Sequence, residues 1–230
     1  MKTFFKWLGR IVCCLLLLLI VGGTALTLYC HHQYAQIIEK EPVSQKVAAL
    51  KQKEGYVPLE EMSDYYLEAV VAVEDHRFYD HGGIDPLALV RIFFDSVRAG
   101  HIVGGGSTIT QQLCKNIYLS QEQTITRKIT EVFFALEVEK ELSKDEILEL
   151  YCNDAYFGNN CYGIGQASAY YYQKAPADLT LEEATFLAGL PQAPSYFADN
   201  PDQGRQRQEE VLDAMVKYGY LSESDRPSLA

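Results

Sequence analysis

Three short stretches of this chain gather side chains that can take a proton or hold an anion. The first runs Glu74-Asp75-His76-Arg77-Phe78-Tyr79-Asp80-His81 and follows an apolar run, Ala69 to Val73. Two adjacent acids therefore stand at the C-terminal end of a helical pattern, facing the negative end of its dipole, which is locally unfavourable. Such local conflicts concentrate where function overrides them. A carboxylate at the edge of an apolar core suits general-base work, while a surface acid paired with Arg77 would read the same way. The second stretch, Gly106-Ser107-Thr108-Ile109-Thr110-Gln111-Gln112-Leu113-Cys114-Lys115-Asn116, puts Thr108, Gln111, Gln112 and Lys115 on one helical face. Hydroxyl, amide and ammonium groups suit sugars and phosphate oxygens, although a solvated face has the same composition. Gly104, Gly105 and Gly106 mark a hinge or mobile loop just before it. The third stretch is Arg127-Lys128-Ile129-Thr130-Glu131. Arg127 and Glu131 could form a plain i,i+4 pair, or the three cations Lys115, Arg127 and Lys128 could surround a diphosphate with Glu131 orienting them.

Such groups need a scaffold, and the pattern supplies helices. Met62 to Val73 and Leu87 to Val97 carry apolar residues at helical spacing, and Glu209 to Tyr218 reads as a last amphipathic helix. Capping-box signatures stand at Ser120 with Gln123, Ser143 with Glu146 and Thr180 with Glu183. Pro191 and Pro194 close the segment that begins at Thr180. Strand-type alternation is nearly absent, so the body is expected to be mainly α. Its length leaves room for one domain of roughly 180 residues after the N-terminal segment.

That segment, Ile11 to Cys30, has no charged residue and is long enough to cross a hydrocarbon core. Lys2, Lys6 and Arg10 precede it, so the positive-inside rule keeps the N-terminus in the cytoplasm and the body outside. A cleaved signal peptide is the weaker reading, because no small-x-small site follows the run. The chain divides into a cytoplasmic N-terminus (1–10), a transmembrane helix (11–30), a polar stalk (31–57) and the body (58–230). The net charge of −11 argues against nucleic acid as a partner and against docking on anionic lipid through a general basic field. Any phosphate-bearing ligand then requires a local basic cluster. Three of the six cysteines lie in the body, Cys114, Cys152 and Cys161, at no metal-like spacing. They read as small apolar fillers, with a Cys152–Cys161 disulfide as the lesser alternative.

Together the stretches resemble the family 51 glycosyltransferases, the peptidoglycan polymerases found alone or as the N-terminal half of class A penicillin-binding proteins. The resemblance covers residues 58 to 218. It rests on Glu74, Asp75, Phe78, His81 and Gly83, on Gly106 through Asn116, and on Arg127, Lys128 and Glu131. It continues through Ser143-Lys144, Ile147-Leu148-Glu149, Asn153, Phe157-Gly158 and Ala188 to Pro194. It implies a lysozyme-like glycosyltransferase domain with a smaller membrane-proximal lobe. It also implies inverting transfer from a polyprenyl-diphosphate-linked glycan to the 4-hydroxyl of the N-acetylglucosamine of lipid II. Glu74 would be the general base. Glu131 would support the diphosphate through a divalent cation, Mg or Mn. Lys115, Arg127 and Lys128 would stabilise the leaving group, with Asp75, Phe78, His81, Ser107, Thr108, Gln111, Gln112 and Asn116 as further substrate-binding positions. Membrane lipid and other cell-wall synthesis proteins are the implied partners. The family often carries an arginine where this chain has Gln123, which weakens the expected clamp. No transpeptidase-type segment follows, so a single activity is expected. A glycan-cleaving enzyme of related fold, or a non-catalytic cell-wall scaffold, are the alternatives.

Overall fold

A computed structural model describes residues 2–101, 105–120 and 122–229. Gly104, part of the expected hinge, lies outside them. The described residues form the mainly α, lysozyme-like body expected, preceded by one long apolar helix. The nearest approach to a sheet among them is a single bridge between Tyr156 and Tyr162.

Helix α1 (Lys2–Lys40) is continuous and far longer than its apolar stretch. It contains the one described segment long and apolar enough to cross a membrane. The next helix, α2 (Val43–Lys51), follows after a two-residue break. The expected stalk over 31–57 is thereby corrected. These residues are largely helical, and Val43, Leu50 and Val57 are buried in the core with Tyr34, Ile37, Ile38 and Val47 packed against it. Their spacing of three and four is the physical reason: a polar-looking segment with one apolar stripe packs rather than hangs free.

The body is two packed groups of helices. In the first, α3 (Asp64–Glu74), α9 (Leu181–Gly189) and α11 (Pro201–Lys217) pack on one another. In the second, α5 (Ile109–Tyr118) packs on both α6 (Ile125–Glu141) and α7 (Lys144–Asp154), and α6 also receives α1. Phe78, Phe134, Ile109, Leu113 and Ile147 are fully buried within the core. None of the residues of helix α4 (Pro86–Ala99) is buried, and its Leu87, Leu89, Val90, Phe93, Phe94 and Val97 are exposed. Its outer surface is therefore apolar. The remaining helices are α8 (Ile164–Tyr172) and the short α10 (Pro194–Asp199).

Two of the three expected capping boxes form. Ser143 with Glu146 and Thr180 with Glu183 form capping boxes as expected. Ser120 with Gln123 does not: α6 begins at Ile125, capped by the Thr124 hydroxyl accepting from the Arg127 amide. Thr108 with Gln111 supplies the third box instead, at the start of α5. The body cysteines Cys114, Cys152 and Cys161 are free and buried, in keeping with their reading as apolar fillers.

The start of α8 lies against the turn at Gly55 so closely that a Cβ on Gly165 would sit 2.2 Å from the Gly55 carbonyl oxygen. Backbone must shift to admit it. Gly165→Ala is expected to cost about 1–3 kcal/mol, lowering the Tm by roughly 2–10 °C in a thermal melt of the full chain.

Candidate active site

The end of α3 is fastened to the start of α5. Asp75, one residue past the last turn of α3, accepts from the Ile109 amide at 3.1 Å and from His81 Nε2 at 2.8 Å. Thr108 Oγ1 donates to the Gly83 carbonyl at 2.8 Å. A Cβ on Gly83 would lie 2.7 Å from backbone atoms of Ala135, so only glycine lets this loop reach α6. Phe78 is fully buried, with Lys144 Nζ 4.4 Å from its ring centroid. Asp75, Phe78, His81, Thr108 and Gln111 thus tie elements together, and none of them lines the cleft onto which Glu74 opens. Asn116 is half-buried on α5 and lies outside the cleft lining. The helical-face argument put Thr108 and Gln111 beside Gln112 and Lys115. Capping turns those first two inward, because the N-terminal amides of α5 need partners.

What the joint positions is Glu74. Its Oε2 accepts from Gln112 Nε2 at 2.7 Å, and its Oε1 lies 3.8 Å from Arg207 Nη2. The carboxylate opens onto a cleft of about 940 Å³ that also receives Ser107, Lys115, Arg127, Lys128 and Glu131. Glu131 is buried, and its two oxygens are engaged separately, by Arg127 at 2.6 Å and by Lys128. Lys128 also donates to Ser107 Oγ at 2.7 Å. Burial depresses the Lys115 ammonium below the ordinary lysine range; Glu131 opposes that shift, while Arg127 and Lys128 add to it. Arg127 Nε is buried with no hydrogen-bond partner. One carboxylate wall therefore faces three clustered cations, two of which, Arg127 and Lys128, are held by a single buried acid. That is an arrangement for taking a proton on one side and receiving an anion on the other.

Other lining residues, Arg207, Pro191 and Gln192 among them, were not expected as site residues from the sequence. Arg207 comes from α11, which begins at Pro201 rather than at Glu209, and it also reaches the Gly189 carbonyl at 3.4 Å. Pro191 and Gln192 line the cleft from the turn after α9. Gln123, where an arginine was expected, lines the same cleft.

The side chains do not fit a cation caged by the protein. Both oxygens of Glu131 are already paired, and among the described residues no group of three His, Cys, Asp or Glu side chains converges.

A family model described as Transglycosylase matches residues 40–216. Its start at residue 40 agrees with the packed, rather than stalk-like, position of α2. The chain is 41% identical over 225 residues to penicillin-binding protein 1F of Bacillus subtilis (strain 168), covering 96% of this chain and 31% of that protein. It is 43% identical over 173 residues to penicillin-binding protein 1A of Aquifex aeolicus (strain VF5), covering 74% and 24% respectively. To penicillin-binding protein 1A of Escherichia coli (strain K12) it is 44% identical over 171 residues, covering 73% and 20%. The chain thus spans about a third or less of the length of these relatives.

Proposed function

Since the chain belongs to the transglycosylase family, we propose that it is a membrane-anchored peptidoglycan glycosyltransferase that polymerises lipid II. The observation that carries the reading is the single cleft in which Glu74 faces Lys115, Arg127 and Lys128. A diphosphate is already a good leaving group, so its departure needs charge stabilisation rather than a proton. A glycosidase has the opposite need, an acid that protonates a poor leaving group, and it has no use for three cations.

In the proposed reaction the 4-hydroxyl of the acceptor N-acetylglucosamine attacks the anomeric carbon of the donor's terminal N-acetylmuramic acid. Glu74 takes the hydroxyl proton as the new glycosidic bond forms. The bond from the anomeric carbon to the diphosphate oxygen breaks, its electron pair leaves with the polyprenyl diphosphate, and configuration inverts. Lys115, Arg127 and Lys128 receive the departing charge. Glu131 keeps Arg127 and Lys128 in register, and Ser107 ties Lys128 down. Gln112 and Arg207 hold Glu74 towards the acceptor. The N-terminus of α1 lies in the cytoplasm and the body on the outer face of a bacterial cytoplasmic membrane, where α4 turns its apolar side to the lipid. Tethering catalyst and lipid-linked substrates to one surface raises their encounter rate.

Incubating the full chain in liposomes with labelled lipid II tests the reading. Longer glycan supports it; shortened preformed glycan would support the cleaving alternative, and neither product would leave only a scaffold.

The depressed Lys115 gives a further expectation. Its charge is complete below its lowered pKa and is lost as pH rises through it, earlier than for a free lysine. Inhibition by inorganic pyrophosphate should therefore weaken through the alkaline range below the ordinary lysine value. Lys115→Arg, whose guanidinium stays charged, should hold inhibition level across the same range; parallel pH curves for the two proteins would refute this.

A further inference from the structure

Of the two cations paired with Glu131, Lys128 is the looser: its side chain is 41% exposed, against 15% for Arg127. Its second hold is the Ser107 hydroxyl, which accepts from Lys128 Nζ at 2.7 Å. A lysine stem is long and free to turn. Where Ser107 stands therefore governs where the Lys128 charge stands.

Ser107 is held fast on one side only. The next residue, Thr108, is pinned by its bond to the Gly83 carbonyl and by its place as the cap of α5. The preceding residue, Gly106, rests against α4. A Cβ there would stand 2.5 Å from Ile92 Cδ1 and 3.8 Å from Leu89 Cδ2. Ile92 is half-buried, on a helix that exposes most of its other large apolar side chains. Between α4 and this segment lies a hollow of about 20 Å³ whose lining includes Ala88, Arg91, Gly106 and Ser107. The chain at Gly106 and Ser107 thus leans on α4 with a little room to shift, while Thr108 stays anchored.

We infer that Ile92 is a positioning residue for the anion site: its contact with Gly106 sets Ser107, and Ser107 sets the Lys128 charge. The inference rests on the proposed use of the cation cluster to receive a diphosphate. The contact is apolar and touches no substrate atom, so it acts through Lys128 alone. Since α4 turns its outer side to lipid in the proposed arrangement, a shift of α4 in the membrane is passed on to that one cation.

The test is binding of inorganic pyrophosphate to the full chain in liposomes by titration calorimetry, with lipid II polymerisation and a thermal melt alongside. Gly106 has no positive φ, so Gly106→Val disturbs chiefly the packing on α4. It should weaken binding about tenfold, the effect of roughly one hydrogen bond to a charged group, and no more than Lys128→Ala does. Ile92→Ala removes as many carbons as the valine adds, and volume-conserving changes are tolerated best. The Gly106→Val, Ile92→Ala double variant should therefore bind within about threefold of wild type. In a Lys128→Ala background, Gly106→Val should cost nothing further. Where the melt shows Gly106→Val unfolded, Ile92→Ala alone decides: it should weaken binding severalfold, and not at all without Lys128. Equal losses with and without Lys128, or a double variant as weak as Gly106→Val, overturn the inference. A wild type that binds no pyrophosphate overturns it too. One that binds pyrophosphate yet makes no glycan overturns the polymerase reading and leaves the inference standing.

Discussion

Replacing Glu74 by glutamine is expected to lower glycan polymerisation by about 10²- to 10⁴-fold, the range supplied by a positioned general base, with the fold intact. The substitution keeps the shape of the side chain and one carbonyl oxygen. That oxygen can still accept from Gln112, which donates at 2.7 Å to the native carboxylate. What disappears is the ability to accept a proton. The loss should therefore appear in single-turnover rates with donor and acceptor both saturating, while affinity for a diphosphate probe at the cation cluster is preserved. A variant that retained more than a tenth of wild-type turnover would remove Glu74 from the chemistry and leave the cleft without a base.

The second large effect is expected at Glu131. This carboxylate is buried and separately paired with Arg127 and Lys128. Glu131→Gln leaves two cations beside each other with the charge between them gone. Lys128, whose side chain is 41% exposed, can turn towards water, so the stability cost is expected near about 1–3 kcal/mol rather than that of a fully enclosed pair. Catalysis should suffer more. A displacement of about 1 Å in a charge-stabilising group can cost roughly 10²-fold, and here two such groups lose their anchor. The combination to look for is a lower Tm together with a fall of that order in kcat. Were turnover to survive while the Tm fell, Glu131 would be a structural acid alone.

Much of this site was legible because its chemistry is local in sequence. Glu74 at the end of an apolar run, the amide-rich face after a glycine cluster and the Arg-Lys-x-x-Glu pattern each fit within a dozen residues. Helix periodicity then placed them on the right elements. Arg207 was not legible, because its approach to Glu74 joins residues far apart in the chain, and the amphipathic pattern of α11 is clear only from Glu209 onward. Asp75 and His81 were expected at the substrate through the family resemblance, and Thr108 and Gln111 through the polar face of their helix. The structure spends that polarity on the joint between α3 and α5, where free amides at a helix start demand acceptors. The segment after Cys30 read as a stalk for a related reason: its charges are plain in the sequence, whereas the stripe formed by Tyr34, Ile37, Ile38, Val43 and Val47 shows only once it is wound into helices.

The unbroken course of α1 has a mechanical consequence. About twenty residues of helix cross a bilayer core of roughly 30 Å, and the rest of α1 continues as a rigid post. Cys30, His31 and Tyr34 on this post meet Thr126, Phe133 and Phe134 of α6. On the proposed anchorage, a body so mounted would drift laterally and spin about the membrane normal, with little freedom to bob or swing. Its cation cluster would ride at one altitude above the lipid, level with the headgroups that carry the diphosphates. A flexible insertion at residue 30 would then slow polymerisation of membrane-borne lipid II far more than that of a short-chain, water-soluble analogue.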